Sequence, residues 1–142
     1  MTLTPAADRR LSHDAKGAAL IEFAIVLPVL ILLMFGMLAY AQYFLLAHST
    51  QQLANDAARA TIAGMSSAER LTLAQASVNR EKAALPEAAR STITTAVDEA
   101  VDTVTVRVRL DASNVTLFRS QVIPMLDPVI ERRAVIRPGG IA

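Results

Sequence analysis

The chain has 142 residues, with 14 Lys and Arg against 13 Asp and Glu, a net charge of +1, and no cysteine. That length allows one small domain and some extra chain. The charges are mixed and form no basic stripe, which argues against nucleic-acid binding, and the missing cysteine excludes disulfides, thiolate catalysis and a cysteine-linked lipid while leaving the redox compartment open.

Residues 1–16 are polar, with mixed charges and Pro5. They hold too little apolar surface to fold alone and read as a disordered arm or leader. Residues 23–41 contain no charged side chain. As a helix, those nineteen positions span roughly 28 Å, close to the hydrocarbon thickness of a bilayer at about 30 Å. Phe23, Phe35, Tyr40, Tyr43 and Phe44 cluster in or beside the stretch, and the two tyrosines fall where amphipathic rings favour the headgroup layer. The expectation is one transmembrane helix over residues 18–47. Pro28 lies inside it, as bilayer helices tolerate, and Gly36 is a second soft point. Arg9, Arg10 and Lys16 precede the span, whereas the first basic residue after it is Arg59. The positive-inside rule puts the N-terminus in the cytoplasm and residues 48–142 across the membrane. A cleaved secretory signal is the competing reading, since Ala39-Tyr40-Ala41 has the small-x-small form that would leave Gln42 as a new terminus. The apolar stretch is longer than the usual h-region and continues through Leu45 and Leu46, which favours a retained helix.

Beyond the span, Leu46, Leu53, Ala57 and Ala60 share a face at helical spacing, so the helix extends into a stalk that Gly64 should stop. Ser66 and Glu69 form a capping-box pattern for a second helix with Leu71, Ala74, Val78 and Leu85 on its apolar stripe. Pro86 and Glu87 suit the first turn of a third helix, with Ala89, Ile93, Val97 and Ala100 on one face. From Thr103 the period becomes two: Val104, Val106, Val108 and Leu110 alternate with Thr105, Arg107 and Arg109. Residues 111–114 are turn chemistry. An irregular segment with Leu117, Phe118, Val122, Ile123 and Met125 follows, broken by Pro124 and Pro128. The last element, Val129–Ile136, reads as a second strand with Ile130, Ala134 and Ile136 on one face and Arg132 out of pattern; Pro138-Gly139-Gly140 ends it. The expected fold class is therefore α+β: one N-terminal transmembrane helix extending into a stalk, two further helices, and a small antiparallel sheet covered by helices on one face.

No enzyme constellation is evident. His13 and His48 lie on opposite sides of the span, and no metal-ligand spacing, nucleophile elbow or phosphate loop occurs. Asp98 and Asp102, one turn apart on the expected third helix, could hold Ca²⁺ weakly, but a solvated helix end is the better reading. Neither metal nor cofactor is expected. Asn114-Val115-Thr116 fits a glycosylation sequon, a weak signal alone.

The informative stretch is Lys16-Gly17-Ala18-Ala19-Leu20-Ile21-Glu22-Phe23. Glu22 is an ionisable group where an apolar helix enters the membrane. A carboxylate deep in lipid costs several kcal/mol, about 2.5 or more, so a partner is the default expectation there. Glu22 at a wet boundary, favoured by the helix dipole, is the alternative. A basic arm, Gly, four small or apolar residues, Glu, an aromatic and a long apolar helix together resemble the prepilin cleavage signature. Gly17 followed by Ala18-Ala19-Leu20-Ile21-Glu22-Phe23 looks like the site of Flp-type (tight adherence, Tad) pilins and pseudopilins. With Ala24-Ile25-Val26-Leu27-Pro28 added, the run is similar to the TadE-like family. Weaker likeness continues in Asn55-Asp56-Ala57-Ala58-Arg59-Ala60 and in Arg133-Ala134-Val135-Ile136-Arg137, while residues 65–128 carry none. Phe23 stands where Flp major pilins usually have Tyr, and this chain is much longer than they are, which fits a pseudopilin better than the fibre subunit.

The resemblance implies a mechanism. A membrane prepilin peptidase would cut between Gly17 and Ala18, remove a cytoplasmic leader of residues 1–17, and leave a free amine on Ala18. Glu22, fifth in the mature chain, would pair with the terminal amine of a neighbouring pilin helix, with Phe23 and Pro28 in the packing surface. Two charges costly in lipid would neutralise each other and select register. The implied partners are the peptidase, other pilins and pseudopilins of the Tad system, the inner-membrane assembly platform and membrane lipid. Residues 48–142 would form a periplasmic domain. An uncleaved bitopic scaffold of the secretion machinery, or a binding domain released at Gln42, remain as other classes.

Overall fold

A computed structural model of the chain describes residues 8–83, 91–115 and 127–138, with side chains described from Gly17 onward. In chain order the elements are α1 (Asp8–Ala60), a 3-10 turn (Thr61–Ala63), α2 (Ser67–Lys82), β1 (Thr92–Glu99), β2 (Val104–Asp111) and β3 (Val129–Ile136). The class is α+β, as expected. The chain divides into two compact units, Met1–Leu38 and Ala39–Ala142.

In the first unit α1 begins at Asp8, so residues 8–16 are helical where a disordered arm was expected. No proline or glycine lies between Asp8 and Lys16. Extending a long helix adds one hydrogen bond per residue and avoids the nucleation cost that an isolated short segment faces. From Gly17 to Leu38 every residue is exposed except the half-buried Gly36. These include Leu20, Ile21, Phe23, Ile25, Met34, Phe35 and Met37, each at least half exposed. Soluble proteins rarely show such a continuous apolar surface. The stretch Gly17–Ala63 is the one N-terminal helix, among the described residues, long and apolar enough to cross a membrane.

In the second unit the C-terminal part of α1 and α2 cover one face of a three-stranded antiparallel sheet ordered β1-β2-β3. The expected stripe is there: Leu46, Leu53 and Ala57 are buried, and Ala60 is half-buried. Ala54 and Ala58 are fully buried beside them. With Leu53 and Ala57 they share one buried cluster with Val104, Val106, Val108 and Ala134 of the sheet. A second cluster joins Leu46 and Ala47 to Leu110, Ala112, Val115 and Ile130. The α2 stripe places Leu71 half-buried and Ala74 and Val78 buried, while Leu85 lies outside the described residues. On β2 the alternation is as expected, with the four apolar residues buried and Arg107 and Arg109 exposed. β3 pairs antiparallel with β2, Val106 opposite Ala134 and Leu110 opposite Ile130.

The expected third helix does not run through residues 92–99. Ile93, Val97 and Ala100 were placed on one face of it, but residues 92–99 form β1, paired antiparallel to β2 from Thr92 opposite Asp111 to Glu99 opposite Val104. A spacing of four satisfies a two-residue period as well as a helical one. Five of the six residues from Thr92 to Val97 are β-branched, which favours the pleated state. Ile93, Thr95 and Val97 turn to the core side and are half-buried. The sheet thus has three strands rather than two. Pro86, Glu87 and Ala89 lie outside the described residues, as do Leu117, Phe118, Val122, Ile123, Pro124 and Met125.

Candidate functional site

Gly17, Ala18, Glu22, Phe23 and Pro28 all lie within α1. Ala18 and Glu22, four positions apart, share a helix face about 6 Å apart along the axis. Phe23 is 58% exposed, and Pro28 is inside the helix. Among the described residues Glu22 has no hydrogen bond or ion pair. Its downstream neighbours as far as Ala41 carry no charge.

Gly17 is helical, and a Cβ built there meets nothing within 4 Å. This fold makes no steric demand for glycine at position 17. Helical glycine instead costs about 1 kcal/mol relative to alanine, which loosens the helix locally at that position.

Gly64 differs. It ends the 3-10 turn with φ −80° and ψ 132°, an extended conformation, not the left-handed one of a glycine helix stop. A Cβ there would lie 2.5 Å from Arg70 Cγ, 3.0 Å from Arg70 N and 3.1 Å from Arg70 Cα. Arg70 reaches across the turn: Nε donates to the Gly64 carbonyl at 3.1 Å, and Nη1 pairs with Glu99 Oε2 at 3.1 Å. Ser67 Oγ donates to the same carboxylate oxygen at 3.1 Å. The Ser66 cap is formed, its Oγ accepting from Glu69 N at 3.3 Å. Glu69 returns the bond one residue earlier than the capping box, accepting from Met65 N at 2.8 Å. This network ties the start of α2 to the β1–β2 hairpin.

The acidic cluster is rearranged accordingly. Asp98, next to last in β1, pairs with Arg107; Glu99 ends the strand and pairs with Arg70; Asp102 lies in the hairpin turn, so Asp98 and Asp102 are not a helical turn apart. Among the described residues no group of three or more His, Cys, Asp or Glu could hold a metal ion. An open concavity of about 710 Å³ at this end includes Arg70, Glu99, Asp102 and Arg137, whose charges balance. Elsewhere, burial pushes the Glu81 carboxyl above its ordinary range, and the nearby Asp56 adds to this. Asp111 goes the other way, lowered by the hydroxyl and backbone N–H of Ser113. Asn114 is exposed within the turn that follows β2, and Thr116 of the sequon lies outside the described residues.

The sequence pointed to Gly17 and Glu22 and missed Arg70, whose role depends on Gly64 and Glu99, partners far apart in the chain. No curated protein and no solved structure matches the chain. Residues 17–59, the part of α1 that carries the glycine junction, the lone glutamate and the apolar stretch, match the family model described as TadE-like protein.

Proposed function

We propose that the chain is a TadE-like pseudopilin or minor pilin of a tight-adherence pilus, a structural subunit without catalytic activity of its own. Its α1 would be anchored in the bacterial inner membrane with residues 48–142 in the periplasm, oriented by Arg9, Arg10 and Lys16. A prepilin peptidase would cut between Gly17 and Ala18. Glu22 would then meet the new amine of a neighbouring pilin helix, and the Tad assembly platform would handle the subunit. The family match associates the chain with Tad pili. The observation that carries the finer reading is the unpartnered Glu22, on the Ala18 face of an exposed apolar helix. Glycine at 17 supports it too, because it lowers helix propensity beside the bond a protease must draw out of the helix.

Release at Gln42 is the less favoured reading. The apolar stretch runs on past that cut through Leu45 and Leu46, and Ala39, the small residue three places before it, is fully buried, whereas Gly17 and Ala18 are exposed. The test is the mature N-terminus of the protein from its native membranes, read by intact mass. Ala18 is the expected start. A chain beginning at Met1 or Thr2 would leave a bitopic scaffold, and a start at Gln42 would remove the pilus mechanism.

A further inference from the structure

Within the second unit, the outer domain, α1 changes character in a single turn. Its outward face carries Tyr40, Phe44 and Leu45, 36%, 63% and 54% exposed. Next on that face come His48, Gln52, Asn55 and Arg59, all exposed and all polar or charged. Residues three and four apart share one side of a helix, so a continuous surface goes from apolar to polar between Leu45 and His48. Tyr43 meets Phe44 edge to face, ring centroids 5.9 Å apart, and aromatic rings gather where hydrocarbon gives way to headgroups. For a helix that crosses a bilayer, this step marks the edge of the lipid.

The inward face of the same turn belongs to the domain. Tyr43, Leu46 and Ala47 pack with Leu110, Ala112, Val115 and Ile130. Further along, Leu53, Ala54, Ala57 and Ala58 pack with Val104, Val106 and Val108. β2 therefore runs against the direction of α1, and its end lies level with the apolar-to-polar step. Residues 112–115 close that end as a turn, the Val115 N–H donating to the Ala112 carbonyl at 2.9 Å. The Ala112 N–H donates to the Pro128 carbonyl at 3.0 Å, which holds the approach to β3 at the same end. Ser113 and Asn114 are exposed at the tip of the turn.

We infer that this turn, residues 112–115, lies in the headgroup layer of the membrane that α1 crosses, with Phe44 and Leu45 in the lipid beside it. The partner is a surface of zwitterionic phospholipid. The Asn114 amide can donate to phosphate and ester oxygens. Residues 39–47, 111–115 and 127–130 hold no Lys or Arg, so the contact needs no anionic lipid. The hairpin end of the sheet, residues 100–103, then points away from the lipid. The inference rests on α1 crossing a membrane and goes beyond that reading by assigning which end of the sheet meets the bilayer.

The chain has no cysteine, so one introduced thiol carries one fluorophore. Asn114→Cys tests the turn, Val101→Cys the fully exposed hairpin, and Leu33→Cys, at a position 55% exposed, the apolar helix. Each labelled full chain is reconstituted at low density in phosphatidylcholine vesicles that carry a nitroxide either on the headgroup or at mid-chain. The eight residues of β2 set the two ends of the sheet about 23 Å apart, so the headgroup nitroxide should quench Asn114→Cys roughly twofold or more above Val101→Cys. Leu33→Cys should be quenched most by the mid-chain nitroxide. An unquenched Asn114→Cys beside a quenched Leu33→Cys would overturn this inference and leave the membrane helix standing. An unquenched Leu33→Cys would overturn both. Equal quenching of Val101→Cys and Asn114→Cys, or quenching of Asn114→Cys mainly from mid-chain, would also overturn the placement in the headgroup layer.

Discussion

Replacing Gly64 with alanine gives a test in which two physical arguments predict opposite signs. The backbone there, φ −80° and ψ 132°, suits any L-residue. On that ground alone Gly64→Ala should stabilise the fold by about 0.4–1 kcal/mol, by reducing the freedom of the unfolded chain. Contacts argue the reverse. The new Cβ would sit 2.5 Å from Arg70 Cγ, more than 1 Å inside the usual carbon–carbon separation of about 3.5–4.0 Å. Rotating Arg70 away withdraws its guanidinium from the Gly64 carbonyl and from Glu99, each now at 3.1 Å. That pair is partly shielded, its side chains 21% and 29% exposed, and contributes up to about 1 kcal/mol. Moving the Arg70 backbone instead, 3.0 Å from the Cβ, strains the Arg70 N–H to Ser66 carbonyl bond at 2.9 Å in the first turn of α2. Overpacking of this kind costs about 1–3 kcal/mol, so the net expectation is a loss of that order. Hydrogen exchange of the β1 and β2 amides in the full chain, in detergent, reads the change in the outer domain without the signal of the apolar helix. Gly64→Ala combined with Arg70→Ala should recover part of the loss, with a coupling of about 0.5 kcal/mol or more. A stabilised Gly64→Ala protein would refute the close approach of Arg70.

Leu110 is fully buried in the sheet, so Leu110→Ala should cost about 2–5 kcal/mol in urea unfolding. Val135→Ala on the opposite face, where Val135 is 57% exposed, should stay within about 0.5 kcal/mol. Ser66→Ala removes the α2 cap and should cost about 0.5–2 kcal/mol, seen first as faster exchange in the first turn of α2. Glu81 holds its proton more tightly folded than unfolded, so its contribution to stability falls as pH rises from the ordinary carboxylate range into the raised one. Glu81→Gln, which can still accept from Ser77, should flatten that decline in a pH series of unfolding curves. Asp111 has the opposite sign, its stabilisation being lost only as pH falls through its lowered value. Glu22→Ala should leave the precursor processed but absent from purified pili, and normal incorporation of that variant would remove Glu22 from assembly.

Sequence pattern located the elements whose periodicity has a single reading. The run of residues 23–41 is long and apolar enough to cross a membrane. The alternation from Val104 to Leu110 fits only a half-buried strand. β1 was hidden because Ile93 and Val97 are four apart, a spacing shared by both periods, and because Pro86-Glu87 offered a plausible helix start. Its β-branched content was the available signal. Gly64 was legible as a stop but not for the right reason, since its role is to leave room for Arg70. That demand arises from a contact six residues on and from a carboxylate in a different element, and no local pattern records either. The buried Ala54 and Ala58 were equally silent, as alanine suits exposed and buried helix faces alike.

The two glycines separate what the fold requires from what it does not. Gly64 is held in place by its neighbours, and changing it should disturb the outer domain wherever the protein is made. Gly17 has open space where a side chain would go, and Glu22 has no partner among the described residues, so neither contributes packing that the chain would miss. Residues that the fold can spare, set in a helix long and apolar enough to cross a membrane, point to requirements imposed by other molecules. A bulky residue at Gly17 should therefore leave β1 and β2 exchange unchanged while the precursor accumulates uncut in the membrane, whereas Gly64→Ala should loosen those strands and leave the cut unaffected. If a Gly17 variant instead destabilised the outer domain, the glycine would serve folding and would not mark a cleavage site.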